Sequence, residues 1–275
     1  MKKFLAMIFA SLMCTVCAFG MAGCGASGAR DLDDILKSGY ITVATNAEFA
    51  PFESKEGENY VGIDIEIAQR IADTLGVTLR INNMDFSAVV TSVQKGQSDL
   101  ALAALTINET RKKAIDFSEA YCGAAQYLIV KTADTTFDAC TTKEEVEEII
   151  SNMTAGTKAT AQEGTTGYFY IKGSEAFEYN GYSNINATSF NTATDAAKDV
   201  INGNAAFAVV DDEVAKQLVS ALTGIKAIEI ALSNEQYGIG INKQNTALKW
   251  IVDSIIIDMK ASGEITEIIA RHTAE

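Results

Sequence analysis

The feature that most constrains this chain is an alternation, repeated along most of its length, between short apolar runs and amphipathic segments closed by glycine. Ile41-Thr42-Val43-Ala44 reads as a strand. Asp64 to Leu75 carries Ile67, Ile71 and Leu75 at i, i+4, i+8, with Ala68 and Ala72 beside them, and stops at Gly76. That spacing makes one apolar helix face, and glycine just beyond it supplies a left-handed exit. Val77 to Ile81 alternates as a strand, Phe86 to Lys95 is helical up to Gly96, and Asp99 to Leu105 is a continuous apolar run. Such a run suits a strand covered on both faces, the environment of a parallel sheet.

The same grammar returns farther on. Thr142-Lys-Glu-Glu145 reads as a capping box opening a helix that runs to Ile150. Asp195 to Ile201 is a helix, Gly203 its exit, and Ala205 to Val210 a buried strand. Setting Gly96 on Gly203 aligns helix, glycine and strand at a constant offset of 107 residues, although the residue identities barely match. Strands alternating with helices imply βαβ units, so the pattern predicts two similar α/β lobes with mostly parallel sheets. A ligand site in such a fold belongs at the carboxyl ends of strands or in a cleft between lobes.

The first residues bear on the compartment. Met1-Lys2-Lys3, the apolar run Phe4 to Phe19 and the small residues before Cys24 describe a secretory signal peptide over residues 1–23. The run is short for a spanning helix, which needs about 20 apolar residues. Ala22-Gly23-Cys24 resembles the bacterial lipobox, in which the cysteine takes a diacylglycerol, with palmitate among its acyl chains, and becomes the mature N-terminus; Met21 stands where leucine is commonest. Residues 24–36 then read as a lipidated tether, with a flexible small-residue stretch from Gly25 to Ala29. The expectation is an exported protein, lipid-anchored on the outer face of the cell membrane or in the periplasm. Cys14 and Cys17 would leave with the leader, so Cys122 and Cys140 are the thiols of the folded part. Outside the reducing cytosol they could pair, and the sequence leaves that open.

Composition and missing motifs exclude much. Twenty-two basic residues against 36 acidic ones give a net charge of −14, which argues against nucleic acid and against a polybasic membrane footprint. The single histidine, His272, ends a C-terminal helix near Ile265 to Ala270, where a cation suits the dipole. A Ser-His-Asp or Cys-His arrangement would have to use it, and a zinc site is short of ligands. There is no GxGxxG, GxxxxGK[ST] or EF-hand loop. No metal or cofactor is expected.

Several short segments form an ordered series: Thr45-Asn46-Ala47-Glu48-Phe49-Ala50-Pro51-Phe52-Glu53, then Val61-Gly62-Ile63-Asp64, Asp85-Phe86, Thr106 to Arg111, and Asp116-Phe117-Ser118. Glu163-Gly164-Thr165-Thr166-Gly167, Asp211-Asp212 and Gln236-Tyr237-Gly238 continue it. In this order and spacing the chain, from Asp31 to Ala270, resembles the family-3 solute-binding proteins of bacterial ABC importers, the polar-amino-acid binders. The resemblance implies a type II periplasmic-binding fold: two α/β lobes joined by two crossing strands, expected near Ala124 to Lys131 and Ile228 to Ser233. Residues 37–125 and 232–275 would form lobe 1, and 126–231 lobe 2.

A zwitterionic amino acid requires a forked cation, acceptors for its ammonium and a wall for its side chain. Arg111, on a short helix capped by Asn108, can bind a carboxylate bidentately. The resemblance gives it that role, helped by Thr106 and by Thr166 at a helix start. Lys112 and Lys113 read as solvated charges. The ammonium would meet Asp211, or Asp212 if the register shifts by one, and the carbonyl of Ala104. Phe49 and Phe86 match the two aromatics that sandwich the ligand's side chain. Asn46 stands where several relatives carry aspartate, and Gln162 is another variable pocket position. These amides favour a neutral polar ligand such as glutamine, while Glu48, Glu53 or Glu163 facing the cleft would favour arginine or lysine. Ala206-Phe207 departs from the family's common Asp-Ala, which bears on local packing. The protein is expected to be a non-enzymatic capture component whose partners are permease subunits of the importer. The alternatives are a cyclohexadienyl/arogenate dehydratase-like enzyme on the same fold, recruiting Glu163 or an aspartate, and the ligand-binding part of a sensor.

Overall fold

The computed structural model of the protein describes residues 28–274, so the expected leader and Cys24 lie outside the described residues. The first sheet is built around Tyr40–Thr45, which runs parallel to Thr78–Asn83 on one side and to Leu100–Ala101 on the other. Gly240–Ile241 then runs antiparallel between Leu100–Ala101 and Asp116–Phe117. The second sheet repeats this plan. Thr157–Gln162 lies parallel to Ile185–Phe190 and Phe207–Asp211, and Gln126–Lys131 runs antiparallel between Phe207–Asp211 and Ile225–Ile228. In each lobe the one antiparallel strand is the strand that the chain enters just after crossing from the other lobe. This is the two-lobed, two-crossing architecture that the resemblance implies.

The helices bury the faces that their spacing anticipates. Ile63–Leu75 turns Ile63, Ile67, Ala68, Ile71 and Ala72 inward and ends at left-handed Gly76. Lys143–Ser151 opens on the expected capping box between Thr142 and Glu145. Gly96 (φ 70°) and Gly203 (φ 76°) sit at equivalent points, each a few residues before the third strand of its sheet. The 107-residue offset is therefore a structural correspondence between the lobes.

Three expectations are corrected. The crossing ribbon is Cys122–Ala124 paired antiparallel with Glu235–Tyr237, and Gln126–Lys131 already belongs to the second sheet. The Asp99–Leu105 run supplies only Leu100–Ala101 to the first sheet; Leu102 to Leu105 are buried in a turn in which Ala104 has φ 46°. Burial on both sides gives a turn under a cleft the same apolar composition as a strand, which is why the sequence conflates them. The proposed tether is also too long. Leu32–Ser38 is a helix capped by Asp31, Ile35 is fully buried, and Arg30 forms an ion pair with Asp99. The first lobe thus begins near Arg30, because Leu32 and Ile35 have an apolar surface to cover. The C-terminal helix is packed on the first lobe: His272 Nε2 lies 2.7 Å from Glu66, which also pairs with Arg271. Cys122 and Cys140 are both free.

Candidate functional site

Where the lobes face each other, the cleft is closed over a set of buried polar groups. Arg111 lies on the six-residue helix Glu109–Ala114, whose N-cap Asn108 accepts the Arg111 backbone N–H at 2.8 Å. This local cap fixes the start of the helix and turns the arginine inward, where it is only 5% exposed. Its guanidinium donates to the Thr106 carbonyl of its own lobe at 2.8 Å and to the Gly164 carbonyl of the other lobe at 3.2 Å. Burial lowers its pKa to about 10, with Glu235 and Asp211 opposing that shift, so it stays cationic at neutral pH. Two of its five N–H donors are engaged by carbonyls, which leaves others to meet an anion. Lys112 points to solvent against Glu109, as expected.

Thr106 and Thr166 meet across the cleft, Oγ1 to Oγ1, at 3.3 Å. The helix Thr166–Lys172 is capped by Thr165, whose side chain accepts from the Tyr168 N–H. Thr165 is therefore the helix cap, and Thr166 presents its hydroxyl to Thr106 across the cleft. Phe86 opens the helix Phe86–Gln94, and its ring centroid lies 5.3 Å from the Arg111 guanidinium carbon. The other aromatic over this guanidinium is Phe177, at 5.8 Å. Phe49 is buried in an apolar cluster that draws on both lobes, its strand Glu48–Phe49 lying against the second-lobe helix Ala193–Ile201.

At another point of the interface, Gln162 Nε2 donates to Asn46 Oδ1 at 2.7 Å and to the Asn191 carbonyl at 2.9 Å, while Asn46 Nδ2 donates to the Met84 carbonyl. Gln162 Oε1 is buried without a protein partner. Of the three glutamates whose orientation the sequence leaves open, Glu48 and Glu163 are exposed and Glu53 is fully buried. Both Glu53 oxygens also lack partners. Burial, with Asp64 and Asp211 nearby, holds its carboxyl well above the usual range.

The aspartates separate clearly. Asp211 is buried and accepts from the Tyr237 hydroxyl, and burial together with the charge of Glu235 pushes its pKa up. Asp212 is half-buried and accepts from the Glu213 N–H, and burial raises its pKa while Lys216 on its own helix opposes the shift. Ala104 is held by Asp64, which accepts its N–H at 2.8 Å and the Tyr121 hydroxyl at 2.7 Å. Burial raises Asp64 to about 6 despite those bonds. A left-handed alanine is strained, and such strain persists where surrounding contacts enforce it.

Glu235 went unrecognised as a site residue from the sequence. It accepts from Thr106 Oγ1 at 2.7 Å and from Ser233 Oγ at 2.6 Å. Its position directly before the Gln236-Tyr237-Gly238 segment was the available signal. Tyr237 was visible as motif but not as the partner of Asp211. Among the described residues no group of three or more His, Cys, Asp or Glu side chains is arranged to hold a metal ion.

A buried fork-shaped cation, hydroxyls contributed by both lobes and carboxyls buried beside them suit a small zwitterion. Residues 41–275 match the bacterial extracellular solute-binding proteins, family 3, and the chain belongs to that family. The arginine-binding extracellular protein ArtP of Bacillus subtilis (strain 168) is 34% identical over 134 residues, 49% of each chain, so this chain spans about half the length of that relative. The crystal structure of a mutant of ArgBP from T. maritima is 31% identical and superimposes with a TM-score of 0.76, covering 89% of this chain and 99% of that one. The ancestral amino acid-binding protein AncCDT-1, a precursor of cyclohexadienyl dehydratase, is 26% identical with a TM-score of 0.75 over 88% of this chain and 99% of its own.

Proposed function

We propose that this protein is the extracytoplasmic capture component of an amino-acid ABC importer, binding a cationic L-amino acid by lobe closure and without turnover. The observation that carries the ligand class is the excess of buried carboxyls over buried cations in the cleft. Glu53, Asp64, Asp211 and Glu235 are buried with Arg111 as the nearby buried cation, and Glu53 Oε1 and Oε2 and Gln162 Oε1 are among the buried atoms without partners, as are the donors Asn108 Nδ2 and Gln126 Nε2. Burial holds Glu53, Asp64 and Asp211 toward their protonated forms, and a ligand that brings donors and positive charge lets them ionise as its partners, since an unpaired buried charge is costly. A ligand with a guanidinium or second ammonium supplies both. Glutamine, favoured by the amides of Asn46 and Gln162 alone, supplies donors but no charge.

In this reading Arg111, Thr106 and Thr166 take the α-carboxylate, Asp211 and the Ala104 carbonyl take the α-ammonium, and Phe86 walls the side chain. Asp212 is left out of the contact set. The lobes divide at the crossing ribbon, and their closure is a hinge transition that contacts in both lobes bias. Cys24 carries the lipid that holds the protein at the outer face of the membrane, where the permease subunits are its partners.

The test is a thermal-shift screen of the proteinogenic amino acids, since a ligand of the folded state raises apparent stability, followed by calorimetry. Arginine or lysine should stabilise more than glutamine, and arginine should outbind its neutral isostere citrulline. Glu53→Gln should narrow that preference. Equal binding of arginine and citrulline would remove the cationic assignment. The enzyme reading rests on the likeness to AncCDT-1; product formed from a cyclohexadienyl acid, with no amino acid bound, would replace the capture role.

A further inference from the structure

The capture site accounts for the groups inside the cleft but not for a hairpin of the second lobe, residues 173–181, that reaches across its mouth. This hairpin is built to hold its shape. Ser174 and Tyr179 exchange backbone hydrogen bonds at 2.8 and 3.1 Å. Its two ends are pressed together at glycines: a Cβ on Gly181, which has φ 65°, would lie 2.3 Å from the Gly173 nitrogen. The tip is a single 3-10 turn, Glu175–Phe177, whose Phe177 ring stacks on Phe169 of the second-lobe helix with centroids 4.1 Å apart and planes at 18°.

From this base the tip touches the other lobe twice. The Thr110 hydroxyl donates to the Ala176 carbonyl, and Phe177 covers the Arg111 guanidinium. Phe177 and Tyr179 also line, with Thr106, Thr166 and Glu235, a cavity of about 450 Å³ beside the site. Both cross-lobe contacts exist only when the lobes are together, and neither Thr110 nor Ala176 is among the groups assigned to the ligand.

We propose that residues 173–181 are a latch: docking of the Ala176-Phe177 tip on Thr110 and Arg111 holds the closed state and sets how long a captured amino acid is retained. The inference rests on the capture reading above. A contact made only in the closed state favours that state whatever the ligand, and apparent affinity scales with the population of the closed, binding-competent form. A ligand would be released only after the tip leaves Arg111, so the latch acts on dissociation more than on association, which starts from separated lobes.

Two experiments on the exported protein test this. With L-arginine as the probe, stopped-flow fluorescence of Phe177→Ala should show dissociation faster by roughly 3- to 30-fold, the range for losing one partly desolvated cation–π contact, with association changed by less than about threefold. Thr110→Val, which removes the hydrogen bond without changing size, should act in the same direction more weakly. Parental dissociation rates in both variants would overturn the latch. Independently of any ligand, the pair Thr110→Cys with Ala176→Cys, in a chain whose Cys122 and Cys140 are serine, should cross-link on mild oxidation. Cross-linking after L-arginine is bound should then trap it until the disulfide is reduced. Failure to cross-link, or free exchange of L-arginine while cross-linked, would also overturn the latch. If the parent binds no amino acid while the Thr110→Cys, Ala176→Cys pair still cross-links, the capture reading fails and the docking contact stands.

Discussion

Replacing Arg111 with alanine tests the site most directly, because the structure sets both the size of the effect and its control. The guanidinium is 5% exposed and bridges the lobes through the carbonyls of Thr106 and Gly164, between the rings of Phe86 and Phe177. Truncation removes the fork for the ligand's carboxylate and the cross-lobe bond to Gly164, and it leaves a carboxylate in a dry cleft with hydroxyls alone. Losing one partner of a buried, hydrogen-bonded charge pair costs about 2–5 kcal/mol, so affinity should fall by roughly 30-fold to several thousand-fold. Arg111→Lys keeps the charge but not the fork and should fall between these extremes and the parent. Lys112 is the control: it pairs only with Glu109 on the surface, and Lys112→Ala should change affinity by less than about threefold. Stability will fall as well, since Glu235 and Asp211 lose their buried cation, so titration calorimetry belongs at a temperature at which far-UV circular dichroism shows every variant folded. Equal losses for Arg111→Ala and Lys112→Ala would refute the placement of the site.

The buried carboxylates make a pH prediction with a definite sign. Asp64 is raised to about 6, and Asp211 and Glu53 are also raised, so the folded state holds protons that the unfolded chain releases, and unliganded stability should fall as pH rises from about 4.5 to 7. For Asp64 alone, a shift of about two units is worth about 3 kcal/mol; denaturant midpoints that stay flat or rise over this range would contradict it. Below about pH 4 stability should drop again, as Glu66 and Asp199, whose pKa values are lowered, become protonated and lose their partners. Ala104→Gly should leave the fold unchanged and add up to about 1 kcal/mol in urea unfolding, because glycine adopts the left-handed conformation without the penalty that alanine carries; destabilisation would mean that the alanine methyl, not the backbone, matters there. Cys24→Ala should move the exported protein from the detergent to the aqueous phase, and an unmodified N-terminus by mass spectrometry would end the lipid-anchor proposal.

Much of this protein is legible without coordinates, and the legible part is local. Helix faces such as Ile67-Ile71-Leu75, exits such as Gly76, Gly96 and Gly203, and the Thr142–Glu145 capping box depend on residues three or four apart, so spacing alone reveals them. The Asn108 cap that turns Arg111 inward is likewise a three-residue relation. What the sequence left ambiguous depends on partners far along the chain. The turn at Ala104 differs from a strand only because Asp64, forty residues earlier, takes its N–H. The difference between Asp211 and Asp212 is one of register: Tyr237 of the crossing ribbon reaches the first, and the second stays with Glu213 on its own helix. Glu53 sits in a stretch as polar as any surface strand, and its burial is visible only once Asp64 and Asp211 close around it. Sequence thus determined the elements, their order and the chemistry on offer. Tertiary structure decided which carboxylates lose their water, because desolvation depends on everything packed around a group and not on its neighbours in the chain.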